Sequence, residues 1–393
     1  MVLSVPSTIA PHQLITFVRC RQCDCKFVAD FEPPDHDAAA LDDASLRFYV
    51  EQGAGLEIFA RAVFIASRRP VRNYLDVGCG FGFGPDMACR IYGWNALGLD
   101  PGPLATAGRA MLGVRIESDS LTPETRLSDT PYDVIVAIEV IEHVTNPHDF
   151  IRAMSNNLTR TGTLIISTPN ARYLDAFPDG DMLLPILSPG HHAVLYTMEA
   201  LSDVLRKAGF HGVTIIRMGA SLLAMASRDG PLAYAAAEID PTIYAGYLRS
   251  RFRDSDTGSP VHVGTGSRLL ASLVNGGAYN EALGVFAELE AAIEAHLNIE
   301  LTRPLDIAGT VLEGNIDFAD IPGKFPFCLP GLLFHRGLIA ARHEHRSDLA
   351  CSYFLAARLA SQAFLRSFNN VGISDGDMAL LPERTADALK SLI

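Results

Sequence analysis

Leu75-Asp76-Val77-Gly78-Cys79-Gly80-Phe81-Gly82 is the stretch from which the rest of the chain can be read. It joins a predicted strand over residues 73–77 to a predicted helix over residues 85–92. Glycines in that setting let the backbone approach a ligand closely and aim N–H groups at it. About twenty residues on, Asp100 closes the next predicted strand in Leu97-Gly98-Leu99-Asp100-Pro101, where a carboxylate can accept both hydroxyls of a ribose. A dinucleotide fingerprint needs Gly-x-Gly-x-x-Gly, and Phe83 stands at the third-glycine position. The loop therefore speaks for a nucleotide-like cofactor of another kind.

Outward from this loop, strands and helices alternate. Strands are predicted over residues 96–99, 114–117, 132–138 and 162–167, with helices over 104–112 and 150–158. A helix over 198–208 ends at Gly209, and strands over 213–217 and 222–227 follow closely enough for an antiparallel edge hairpin. The fold class expected is α/β: a Rossmann-like, seven-stranded, mostly parallel sheet, with an all-α domain after it. Three segments are expected. Residues 1–40 are a short N-terminal piece with a cysteine knuckle. Residues 41–230 are the cofactor-binding domain, opening on a helical pattern over 41–67. Residues 231–393 are helical, with residues 254–267 reading as a linker.

These motifs resemble the class I S-adenosylmethionine-dependent methyltransferases over about residues 41–228. Ser118-Asp119-Ser120-Leu121 follows the third strand, Tyr132-Asp133-Val134-Ile135 lies in the fourth, and Ser167-Thr168-Pro169-Asn170 closes the fifth. The resemblance implies that Asp76, Gly78, Gly80 and Gly82 flank the amino-acid part of S-adenosylmethionine, that Asp100 takes the ribose and that Asp119 takes the adenine amine. Cys79 counts with this loop, its side chain a small packing group. Glu139 belongs to the same cofactor-binding set.

Glu139-Val140-Ile141-Glu142-His143-Val144 together with the later Ser-Thr-Pro-Asn is similar to the ubiquinone-biosynthesis O-methyltransferase group. It is also similar to small-RNA 2′-O-methyltransferases, in which two glutamates and two histidines bind a divalent metal beside the acceptor hydroxyl. That resemblance implies Glu139, Glu142, His143 and His192 as metal ligands, with His191 as the substitute for His192 and Mg²⁺ as one candidate ion. The competing reading has no metal, and His143 then lines the acceptor pocket. The i, i+3, i+4 spacing of Glu139, Glu142 and His143 puts them on one face if a helix begins there. A hydroxyl is a poor nucleophile until deprotonated, which a histidine base or a bound metal achieves. His143, Glu142 and His192 are the catalytic candidates, and Asn170 and Tyr196 are candidates for shaping the acceptor pocket.

The 393 residues carry 45 acidic against 32 basic side chains, a formal charge of −13. With 48% hydrophobic and 20% charged residues the chain is globular in composition. The acidity is spread out, and with no basic stripe it weighs against nucleic acid as a partner. The expected reaction is O-methylation of a small-molecule or sugar-containing acceptor. One alternative is a metal-dependent RNA 2′-O-methyltransferase; another is a cofactor-binding scaffold without catalysis. No stretch reads as a signal peptide or transmembrane helix, so the expected compartment is cytoplasmic.

Cys20, Cys23 and Cys25, three of seven cysteines, resemble one knuckle of a zinc ribbon. The upstream ligand pair is missing, and His12 and His36 are the only local substitutes; the expectation is a degenerate knuckle without metal. In the helical region, Ala282 with Phe286 and Ala350 with Phe354 repeat one spacing. They read equally as tetratricopeptide-like hairpins or as unrelated small-then-large packing, and a surface of this kind suits a protein partner or self-association.

Overall fold

In a computed structural model of the chain, the described residues are 2–10, 12–32, 41–127, 130–176, 186–230, 238–314, 316–373 and 375–392. His36, named above as a local substitute ligand for the cysteine knuckle, lies outside them. The strands are β1 (Val2–Pro6), β2 (Leu14–Arg19), β3 (Lys26–Val28), β4 (Asn73–Val77), β5 (Asn95–Leu99), β6 (Ile116–Glu117), β7 (Tyr132–Ile138), β8 (Leu158–Pro169), β9 (Val194–Leu195), β10 (Gly212–Met218) and β11 (Ser221–Ser227).

Seven of them form one sheet in the order β10-β11-β8-β7-β4-β5-β6. The β4–β5, β4–β7, β5–β6 and β7–β8 pairs are parallel, whereas β11 runs antiparallel to both β8 and β10. Central strands read as nearly unbroken apolar runs because both sheet faces are covered, and Leu75, Ile135, Val136 and Ile165 are wholly buried. The strand order reverses at β4. A crevice therefore opens at the carboxyl ends of β4 and its neighbours, the usual ligand position in sheets of this kind.

A second sheet, β1-β2-β3-β9, is antiparallel throughout. The sequence signals only short elements there, because β9 is two residues long and far along the chain from β3. This sheet has its own small core, including Val5, Phe17, Leu174, Leu187 and Leu195. Lys26 is buried in it, donating from Nζ to the Ala171 carbonyl and to Asp175 at 3.0 Å. Removing either partner would strand a buried cation, which is costly.

Contacts divide the chain into two compact units, Met1–Ala40 with Leu56–Ile239, and Leu41–Gly55 with Asp240–Ile393. The expected helix over 41–67 is thus interrupted. A short helix, Asp43–Phe48, runs into a π-helical turn, Tyr49–Gly53, and only Leu56–Ala66 packs with the seven-stranded sheet. The reason is aromatic: Phe48 meets Phe318, Phe327 and Phe368 edge-on at 5.9, 5.5 and 5.1 Å within the helical unit.

Of the expected linker, residues 255–259 are non-helical, and from Pro260 onward it is helix. Ser259 caps the helix Pro260–Asn275 by accepting from the His262 N–H. Gly264 and Gly266, which read as loop formers, are close-packing positions instead. A Cβ on Gly264 would lie 2.4 Å from the Val50 carbonyl oxygen, and one on Gly266 2.6 Å from the Phe252 ring. Arg268 holds the same π turn, donating to the carbonyls of Val50, Glu51 and Gln52. Ala282, Phe286, Ala350 and Phe354 are all buried, on the helices Tyr279–Leu297 and Ser347–Asn370. Among the described residues, no helix is long and apolar enough to cross a membrane.

Candidate active site

The loop after β4 is shaped by its glycines. Gly78, Gly80 and Gly82 have φ of +71°, +52° and +91°, a region that side chains with a Cβ rarely adopt. Added Cβ atoms would also collide: 2.5 Å from Val140 Cγ2 at Gly78, and 2.7 Å from Ile116 Cδ1 at Gly82. Cys79 turns its thiol inward, over Gly98, where a Cβ would lie 2.5 Å from Sγ. Only its backbone is left for the cradle. The loop then enters the helix Phe83–Tyr92, whose first N–H groups lack helical partners.

Asp100 pins this loop from the end of β5. Its Oδ2 accepts the Gly80 N–H at 2.8 Å and its Oδ1 the Gly102 N–H at 2.7 Å. Asp76 lies at the end of β4, wholly buried, and neither carboxylate oxygen has a hydrogen bond among the described residues. Burial, and after it the charge of Asp100, raises its pKa well above the usual carboxylate range. Asp119 is exposed and accepts the Ser120 N–H at 2.7 Å.

Across the crevice, β7 is followed directly by Glu139, a non-glycine residue at φ +53°. A left-handed residue of this type stores about 1 kcal/mol or more and needs local support. Ser167 provides it. Its hydroxyl donates to Glu139 Oε1 at 2.7 Å, and the Glu139 N–H reaches the Ser167 carbonyl at 3.1 Å and hydroxyl at 3.0 Å. Burial pushes the Glu139 carboxyl up to about 7, and the Ser167 hydrogen bond opposes that rise.

The left-handed turn has a second effect. Ile141–His143 forms a single 3₁₀ turn, so no α-helix begins at Glu139 and the shared helical face does not form. Glu142, His143 and His192 do converge, their ligand atoms all within 4.8 Å of one another, and Glu139 is outside that group. The four-ligand set expected from the resemblance is reduced to three.

Each member of the trio is held. His143 Nδ1 lies 3.0 Å from the His191 carbonyl, and His192 Nδ1 lies 2.9 Å from the Ile186 carbonyl. A carbonyl oxygen can only accept, so both Nδ1 atoms carry hydrogen and both neutral rings keep their lone pair on Nε2. The rings meet edge to face with centroids 4.8 Å apart. His192 is buried, and desolvation, with His143 beside it, pushes its pKa down to about 3. The Ala193 N–H donates to the Glu142 carbonyl at 2.7 Å, tying the histidine turn to the β7 loop. His191 supplies that turn's carbonyl rather than a ring to the trio.

Glu142 is wholly buried. Its oxygens, the Thr168 hydroxyl and the Tyr196 hydroxyl have no hydrogen bond of good geometry among the described residues. Thr168 is near enough to favour the charged carboxylate slightly, but burial and the nearby Glu139 charge dominate and raise its pKa well above the usual range. Burial also raises the Tyr196 hydroxyl. Asn170 forms a bridge with Tyr196, and its side-chain oxygen accepts the Arg172 N–H at 3.1 Å. Sequence reasoning missed the supports: Ser167, Thr168 and the carbonyls of Ile186 and His191. Ser167 and Thr168 were legible only as a strand end, and backbone carbonyls carry no side-chain signal.

A glycine loop at the switch point, with an acid on the next strand, defines a Rossmann-like domain for a nucleoside-containing cofactor. Residues 51–215 match the family model described as "Methyltransferase domain", so the chain carries a class I S-adenosylmethionine-dependent methyltransferase domain. More particularly, it is similar to ubiquinone biosynthesis O-methyltransferases. That of Pseudomonas savastanoi pv. phaseolicola is 35% identical over 130 residues, covering 31% of this chain and 56% of that protein. That of Aeromonas salmonicida is 32% identical, covering 31% and 54%. The chain thus spans about half the length of these curated relatives. A solved O-methyltransferase family protein from Burkholderia thailandensis aligns at 18% identity with a TM-score of 0.38, over 49% of this chain and 59% of that one.

Proposed function

We propose that the protein transfers a methyl group from S-adenosylmethionine to an oxygen of a small-molecule or sugar-containing acceptor. The convergence of Glu142, His143 and His192 across the crevice from the glycine loop carries this reading. The cofactor's fit is supported by a loop that tolerates no Cβ at Gly78 or Gly82, by the anchored Asp100, and by the unpartnered carboxylate of Asp76. Gly78, Gly80, Gly82 and the Cys79 backbone would hold the amino-acid part with Asp76 and Glu139. Asp100 would take the ribose and the exposed Asp119 the adenine. When bound, S-adenosylmethionine supplies a methyl group on a sulfonium, open to in-line attack.

What this chain's residues contribute is placement and proton handling. His143, partly exposed, accepts the acceptor's hydroxyl proton at Nε2. Its Nδ1–H, held on the His191 carbonyl, fixes the ring and supports the imidazolium that results. His192 is too weak a base for that step, with its pKa near 3. It instead orients the hydroxyl by accepting a hydrogen bond at Nε2. Burial favours the neutral form of Glu142, and in that form its carboxyl offers a donor to an acceptor oxygen.

The same three side chains suit a divalent metal. Both imidazoles are presented through Nε2 with Nδ1 secured on a carbonyl, and the third ligand is an unpartnered buried carboxyl. Three protein ligands leave coordination positions open, as in a catalytic site, and the ion would lower the pKa of a bound hydroxyl. The charge of −13 supports a small acceptor over RNA. The test is calorimetric titration with S-adenosylmethionine, then methylation of a metabolite extract with labelled cofactor, with and without Mg²⁺, Mn²⁺ or Zn²⁺. No heat of binding would end the proposal; a labelled product would name the acceptor.

A further inference from the structure

We propose that Cys20 and Cys23 are a thiol–disulfide pair, oxidised by a low-molecular-weight disulfide such as oxidised glutathione. Cys20 opens the turn joining β2 to β3, and Cys23 lies within it. That turn is closed by the Cys20 N–H on the Cys25 carbonyl at 2.9 Å and the Asp24 N–H on the Cys20 carbonyl at 3.1 Å. Asp24, at φ +62°, makes the reversal. Cys20 and Cys23 are both partly exposed, three residues apart in a segment that the Asp24–Cys20 backbone hydrogen bond folds into a single turn. The Cys23 and Gln22 backbone N–H groups, with the Cys23 thiol, stabilise Cys20 as thiolate and lower its pKa. Cys25 is different: buried, with its thiol pushed up to about 12 mainly by burial.

Geometry and chemistry together assign an attacking and a resolving thiol. The Cys20 thiolate attacks one sulfur of oxidised glutathione, whose S–S bond breaks as one glutathione thiolate leaves. Cys23, losing its proton, then attacks Cys20 Sγ and expels the second. Two protein thiols are oxidised, one glutathione disulfide is reduced, and the two cysteine protons end on the two glutathione thiols. A metal is the weaker use of these sulfurs. Cys20, Cys23 and Cys25 do not form a three-ligand group, whereas Glu142, His143 and His192 do.

The turn is tied to the candidate active site. The Cys23 carbonyl accepts the Thr197 hydroxyl at 2.9 Å, and Cys25 shares a core cluster with Tyr196. Lys26 and Phe27 pair with Leu195 and Val194, just after His192. The redox state of the pair therefore bears on the segment that holds Tyr196.

The full chain would be equilibrated in glutathione buffers of graded ratio, alkylated, cut with trypsin and mapped by mass spectrometry. Cleavage after Arg19, Arg21 and Lys26 puts Cys20 and Cys23 in different peptides. The expected result is that oxidising ratios join these peptides, lighter by two hydrogens than their sum. Exposed Cys89 and Cys351 should yield mixed glutathione disulfides at most. In Cys23→Ser the link should vanish and Cys20 should carry glutathione; in Cys25→Ser the link should remain. Failure to link at any ratio, persistence of the link in Cys23→Ser, or a stoichiometric metal released only when these thiols are blocked would each overturn the assignment.

Discussion

Gly84 sits so close above Asp76 that a methyl group on its α-carbon would lie 2.0 Å from Oδ2. The buried carboxylate at the end of β4 is therefore covered by the first turn of the Phe83–Tyr92 helix. Its depth in the protein depends on the absence of one carbon atom. Gly84→Ala should displace either the carboxylate or the helix start. We expect a loss of about 1–3 kcal/mol in stability and at least a tenfold weaker titration with S-adenosylmethionine. Thermal melting and calorimetry read the two effects separately.

The two histidines should separate kinetically. His143→Ala removes the proposed proton acceptor and should lower kcat by roughly 10²–10⁴. His192→Ala removes an orienting acceptor and should act chiefly on acceptor KM. Neither should change the dissociation constant of S-adenosylhomocysteine by more than about threefold, a difference of less than 1 kcal/mol. Equal losses in cofactor affinity would show that the trio belongs to the cofactor side.

Glu139 gives a pH test. Its carboxyl is pushed up to about 7 by burial, so it is neutral below that pH and charged above it. If it meets the cationic amino group of the cofactor, binding should tighten as pH rises through 7. Ser167→Ala removes the hydrogen bond that favours the charged form, so the midpoint should move to higher pH. Glu139→Gln should flatten the profile. Isothermal titrations from pH 6 to 9, a range set by that shift, would show all three.

Glu51 tests stability in the helical unit. It is buried in the π turn, accepts the Phe327 N–H at 2.7 Å, lies 3.6 Å from Arg47, and its carboxyl is pushed up to about 7 by burial. With its folded pKa raised above the unfolded value, its contribution is fully present below about 4.5 and lost as pH rises through 7. The span is worth about 3 kcal/mol at most. In Glu51→Gln that dependence disappears. The gap in melting temperature between variant and parent should shift in the variant's favour from pH 4.5 to pH 8.

The seven-stranded sheet was legible because its strands are buried on both faces and because glycine and aspartate mark its ligand edge. The glycine loop, Asp100 and the Glu-x-x-Glu-His run could be read for the same reason: the residue types are themselves the chemistry. Glu139 as a metal ligand could not be judged from spacing, since its place depends on one backbone angle that Ser167 supports. The second sheet escaped because β3 and β9 find each other only after folding. The Pro260–Asn275 helix escaped because its glycines, the usual mark of a loop, serve close contact with Val50 and Phe252.

The methyltransferase domain is not simply followed by a helical appendage. Residues 41–55 belong with the helices, so the polypeptide passes from one unit to the other after residues 40, 55 and 239. A single cut near residue 230 would yield a fragment still carrying Phe48 and the π turn without the aromatic residues that bury them. Such a fragment would be prone to aggregate for reasons unrelated to the catalytic fold. The same threading sets the boundaries for dissection: separating the two units takes three cuts, after residues 40, 55 and 239, not one.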